Sequence, residues 1–100
     1  MATARDTILS VADEAGVLSA LQQQLQARFG HECEIAVAQS AADALELIED
    51  LERDEESLAV VIADQIMPEM KGDEFLEIDN QRCPDTTKIL LTGQAGLGAV

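Results

Sequence analysis

Hydrophobic positions along this chain switch between two spacings, and the switches mark out its elements. Thr7 to Val11 is a short apolar run ending just before Asp13 and Glu14, and it reads as a first strand. Leu18, Leu21, Leu25 and Phe29 then recur at helical spacing, with Gly30 as the expected C-cap. Glu34 to Ala38 is a second short strand, and Ser40 is a good N-cap for a second helix. In that helix Ala44, Ile48 and Leu51 fall on one face, with Leu45 flanking it. Glu52 to Ser57 is charged and reads as a solvated loop. Leu58 to Ala63 is a third strand, Asp73 to Asn80 a third helix, and Lys88 to Leu91 a fourth strand ending at Thr92 and Gly93. Gly96 to Val100 reads as the first turn of a fourth helix.

The third strand is the most informative of these. Its Val/Ile/Ala-rich run shows no polar alternation, the habit of a strand buried on both faces of a parallel sheet. Strand–helix–strand units this short imply right-handed crossovers, so the expected class is α/β with a doubly wound parallel sheet. The run stops abruptly at Asp64; Met67 and Pro68 end regular structure, and Gly72 is expected to let the backbone turn into the next helix. An acid at the carboxyl end of such a strand lies on the rim where open α/β sheets hold their sites. A fourth strand at the sheet edge would leave Ile89, Leu90 and Leu91 uncovered, which predicts a homodimer or swapped oligomer through that region.

Composition narrows the function. One hundred residues, 47% of them hydrophobic, make one small domain with a modest core and no linker or repeat. The 20 acids stand against 6 Lys and Arg, and the net charge of -14 argues against nucleic acid or an anionic membrane as partner. No apolar run approaches the roughly 20 residues that cross a bilayer. The N-terminal MATARDT lacks the apolar segment of a secretory signal, so a cytoplasmic protein is expected. Cys33 and Cys83 are not in metal-ligand spacing and precede different strands, so no disulfide is expected. His31 is expected at the surface, and Met67 and Met70 in packing.

The acids acquire a purpose when the strand ends are collected. Asp13 and Glu14 follow the first strand, Asp64 the third and Thr92 the fourth, so all of them belong to one rim of a parallel sheet. Carboxylates gathered there repel one another and call for a cation or for protonation. Few oxygen donors with retained waters suit Mg²⁺. A carboxylate beside that ion can attack a phosphoryl group, and the Thr92 hydroxyl can then hydrogen-bond its oxygens.

The segments VADE, VVIADQIMPEMKGDEFL and ILLTG, in that order, resemble the receiver domain of two-component response regulators. The likeness covers nearly the whole chain, and D-x-x-M-P-x-M-x-G is its most specific part. It implies a flavodoxin-like fold with strand order 2-1-3-4, and Mg²⁺-dependent phosphoryl transfer from a histidine kinase or phosphotransfer protein to Asp64. By the same resemblance Asp13, Asp64 and the backbone carbonyl of Ile66 hold Mg²⁺, with Glu14 a further candidate. Thr92 is the switch hydroxyl, and Met67, Pro68 and Gly72 form the pocket loop.

Three departures accompany the likeness. Ala12 stands where the family carries the first of two acids, and Gly93 where it carries a small alanine. The family's fifth strand, catalytic lysine and last helix are expected beyond Val100, so residues 1–100 are an incomplete receiver. Lys88 cannot replace that lysine, because four strand residues place it about 13 Å from the rim. The alternative is a receiver-like binding module that is not phosphorylated. An aspartyl phosphohydrolase is disfavoured because Ile66 occupies the place of its second acid, and no turnover of an external substrate is expected. No G-x-G-x-x-G follows a strand, and Phe29 and Phe75 are the only aromatics, which disfavours dinucleotides and flavins.

Overall fold

The computed structural model describes residues 6–91. Strands and helices alternate along them as β1 (Asp6–Val11), α1 (Ala15–Phe29), β2 (Cys33–Ala38), α2 (Ala41–Arg53), β3 (Leu58–Asp64), α3 (Gly72–Arg82) and β4 (Thr87–Leu91). The strands are parallel, in the order β2-β1-β3-β4. This is the doubly wound, flavodoxin-like arrangement anticipated from the sequence. Thr92 and the expected start of a fourth helix lie outside the described residues.

Alternation along the strands sorts the core into two layers. Leu9 and Val11 of β1 and Val61 and Ala63 of β3 cluster with Ala44 and Ile48 of α2 and with Phe75 and Leu76 of α3. The intervening residues Ile8 and Ile62 are also buried, as is Leu18 of α1, but they belong to no part of that cluster. Both α1 and α2 pack on β1, and of the two only α2 shares the cluster, so helices flank both faces of that strand. In β3 Val61, Ile62 and Ala63 are buried in succession, which is why it needs apolar residues at successive positions instead of alternate ones.

The helices run further than the spacing suggested. Ser40 does cap α2, its Oγ accepting from the Asp43 N–H at 3.1 Å. At the other end Glu52 and Arg53 are helical, so the charged loop begins two residues later than expected. The Glu55 N–H donates to the Glu52 carbonyl at 3.1 Å and the Glu56 N–H to the Leu51 carbonyl at 2.9 Å, the paired bonds of a Schellman ending. Helix α3 likewise spans Gly72–Arg82, its first turn braced by Glu74 accepting from the Lys71 N–H at 3.0 Å. Gly30 does stand at the end of α1, but its φ of -61° is right-handed, so glycine's left-handed freedom is not what ends that helix. The two cysteines are not joined by a disulfide. Cys33 opens β2 and Cys83 precedes β4, the opposite edges of the described sheet.

Candidate functional site

Asp64 is the last residue of β3, which lies between β1 and β4. Ala63 is in register with both Val11 and Leu90, and Asp64 with Leu91. The half-buried carboxylate thus emerges where three strands end together. Its Oδ1 accepts from the Ile66 N–H at 3.3 Å, an Asx-type bond that bends the chain away from the strand.

Gly72 explains how α3 begins so close to this point. A Cβ built there would overlap the Asp64 carbonyl and meet the Leu90 side chain. The chain turns into α3 here as expected, but φ is not positive, so what Gly72 itself supplies is close approach and not left-handed freedom. Met67 is buried in the core cluster and Met70 packs against it, while Pro68 is exposed and Ile66 is 64% exposed. The loop is therefore tacked down by its methionines and presents its other residues to solvent.

Asp13 follows the end of β1 by two residues and is exposed. Glu14 is exposed too and occupies the N-cap position of α1 without making a side-chain capping bond. Ala12, where the family carries the first of two acids, is wholly buried, and its N–H donates to the Ala38 carbonyl at 3.1 Å. A carboxylate at that position would enter the core. Neither Asp13 nor Asp64 is in an ion pair with any described residue. No group of three or more His, Cys, Asp or Glu is poised to hold a metal among the described residues. The donors on offer are all hard oxygens and few in number. They fit Mg²⁺, which keeps much of its own water, and not an ion needing a full protein cage.

Two residues that the sequence reading passed over have distinctive surroundings. Gln65 accepts through Oε1 from the Asp73 N–H at 2.9 Å, joining the residue after Asp64 to the first turn of α3. Asp79 sits on the core face of α3, fully buried, with both carboxylate oxygens unpartnered. Burial pushes its pKa up, opposed by the nearby Lys88 charge, reinforced by Glu52 and opposed again by Arg82. A break in helical polarity at Asp79, between the apolar Phe75–Leu76 pair and Cys83, is the only sequence signal for it.

Asp79 points away from any role in the Asp64 site, since its neighbours belong to the opposite end of α3. There Lys88 donates to the Cys83 carbonyl at 2.6 Å, and Thr86 Oγ1 to the Leu58 carbonyl at 2.7 Å. Lys88 is in register with Val61, three residues before Asp64, one residue nearer than the four counted from the sequence. A cavity of about 260 Å³ opens beside these bonds, lined by Ile48, Leu58, Pro84, Glu52, Arg82 and Cys83 among others. Burial, then the Asp79 and Glu52 charges, raise the Cys83 thiol pKa, which makes it a poor nucleophile.

Comparison with known proteins agrees with this architecture. The family model of the response regulator receiver domain matches residues 8–99. The signal receiver domain of an HD domain-containing protein from Pseudomonas fluorescens Pf-5 is 32% identical, with a TM-score of 0.74 over 93% of this chain and 62% of that one. A protein from Neptuniibacter caesariensis is 33% identical, with a TM-score of 0.78 over 97% of this chain and 67% of that one. A CheY-like response regulator receiver domain protein from Methanospirillum hungatei JF-1 is 28% identical, with a TM-score of 0.71 over 86% of this chain and 62% of that one. The chain thus spans less than two thirds of the length of the first and third of these. No curated protein matches the chain.

Proposed function

The chain belongs to the response regulator receiver domains of two-component signalling, and from that premise we propose that it is a phosphorylated switch with Asp64 as acceptor. The observation that carries the reading is the place of Asp64 at the end of a central strand, with α3 admitted against it by Gly72. The donor is a histidine kinase or phosphotransfer protein. A carboxylate oxygen of Asp64 attacks the phosphorus of the donor's phosphohistidine, and the P–N bond breaks with its electron pair leaving on the imidazole. An acyl phosphate on Asp64 results.

Asp13, Asp64 and the Ile66 carbonyl hold Mg²⁺ in this reading, with Glu14 able to reach the same rim. When bound, the ion neutralises charge developing on the phosphoryl oxygens. Met67 fixes the loop, and Pro68 and Gly72 shape it against the acceptor. Thr92, next in sequence after Leu91, is the switch hydroxyl in this reading because it matches that position of the receiver family. Receiver domains are in general not enzymes that turn over an external substrate, and here the phosphorylated state itself is the output, read by a protein partner. A cytoplasmic location is part of this proposal; among the described residues no helix is long and apolar enough to cross a membrane. A second copy of the chain is a further partner, through the exposed Ile89 and Leu90 of β4.

Incubation with Mg²⁺ and acetyl phosphate, followed by mass spectrometry, should detect one acid-labile phosphoryl group, absent in Asp64→Asn. No adduct under conditions that modify another receiver would refute the proposal. The buried Ala12 favours one other reading, a receiver-like binding module that is not phosphorylated, since it removes a carboxylate from the rim. In that case Mg²⁺ binding is not saturable and Asp64→Asn leaves partner affinity unchanged.

A further inference from the structure

We propose that Gln65 is a positioning residue for the Asp64 site, holding the loop so that the Ile66 carbonyl is presented to a bound divalent cation. The proposal rests on the receiver reading above and extends it to a residue that touches neither the cation nor the phosphoryl group.

Three hydrogen bonds converge on Gln65. Its Oε1 accepts from the Asp73 N–H at 2.9 Å. Its carbonyl oxygen accepts from the Gly72 N–H at 3.1 Å, and its own N–H donates to the Leu91 carbonyl at 3.0 Å. One residue therefore closes the loop over residues 66–71 twice, once through main chain and once through side chain. It also fastens that loop to the end of β4.

Ile66 depends on these anchors because it has little packing of its own. Its side chain is 64% exposed, whereas Met67 next to it is buried. Its N–H is held by Asp64 Oδ1 at 3.3 Å, a long bond. The orientation of its carbonyl is thus set by the flanking residues, of which Gln65 is the most heavily bonded. A neutral amide is well suited to the task. It satisfies an otherwise unpaired N–H in the first turn of α3 without setting another carboxylate beside Asp64.

Gln65→Leu removes the side-chain bond and leaves the main-chain bonds, so the fold should survive while the loop gains freedom. Calorimetric titration with Mg²⁺ alone should show affinity falling about three- to tenfold, the equivalent of one ordinary hydrogen bond. Hydrogen exchange at the Asp73 amide should quicken in the same variant. Gln65→Glu keeps an acceptor oxygen at the same reach and should bind Mg²⁺ no more weakly than the parent, with Asp73 still protected.

Equal Mg²⁺ affinity in Gln65→Leu and a parent that does bind would overturn this inference alone. So would failure of Gln65→Glu to preserve binding, which would make the effect one of packing. Absence of saturable Mg²⁺ binding in the parent would overturn the receiver reading of the site and the cation role of Gln65 with it.

Discussion

Asp79 is the residue most at odds with its surroundings. It takes a core position on α3 between Phe75 and Cys83, yet neither carboxylate oxygen has a hydrogen-bond partner. Its pKa is raised from the ordinary 3.8, with burial as the leading cause. The native state therefore holds this proton more tightly than the unfolded chain does. The ionisation of Asp79 costs nothing below pH 3.8, and stability falls as pH rises from there through the native pKa. Above that pKa the full penalty persists. Asp79→Leu should accordingly stabilise the protein at pH 7 by about 1–3 kcal/mol in urea unfolding, with the gain shrinking toward pH 4. Asp79→Asn, which keeps the size but not the charge, should lose the same pH dependence. A gain independent of pH would point to packing and not to ionisation.

At the scale of the element, α2 is the clearest case of local chemistry deciding an end. Ser40 supplies the N-cap and Asp43 stands in the first turn, where the helix dipole favours an acid. The C-terminal end closes with Schellman bonds, which require a left-handed residue at Glu55. Its φ is 58°, and glutamate has no side-chain reason to accept that conformation. Glu55→Gly should relieve this strain against a greater loss of chain entropy, for a net gain of about 0.5–1 kcal/mol in chemical denaturation. A loss of stability would mean that the Glu55 side chain makes a compensating contact. Between α2 and α3, Arg82 lies 3.6 Å from Glu49 and 3.5 Å from Glu52, but these pairs are solvent-exposed and contribute little. Beneath them Ile48 of α2 shares one apolar cluster with Phe75 and Leu76 of α3, and that burial holds the two helices together.

On the scale of the whole molecule, burial is uneven across the sheet. Leu9, Val61 and Ala63 of β1 and β3 are completely buried, whereas Ile89 and Leu90 of β4 are 42% and 37% exposed. Among the described residues β4 is an edge strand, and an apolar edge invites another chain. Under the proposal of a second copy on β4, light scattering across a concentration series should show reversible association of the chain, weakened in Ile89→Lys. A single monomer mass up to high concentration would rule that association out.

How much of this was legible beforehand depends on the range over which each feature is determined. The element order, the Ser40 cap and the acid at the end of β3 follow from period, capping chemistry and an apolar run, all local properties of the sequence. Family membership was legible for the same reason, because the D-x-x-M-P-x-M-x-G segment is contiguous. Other features arise between segments that are distant along the chain. That Gly72 serves close approach to Asp64, that Ala12 faces the core, that Gln65 ties α3 to β4, and that Asp79 is stranded without a partner all depend on which backbone comes to lie against which. A sequence fixes its own hydrogen-bonding groups, but only tertiary packing decides whether each one finds a partner or is cut off from water.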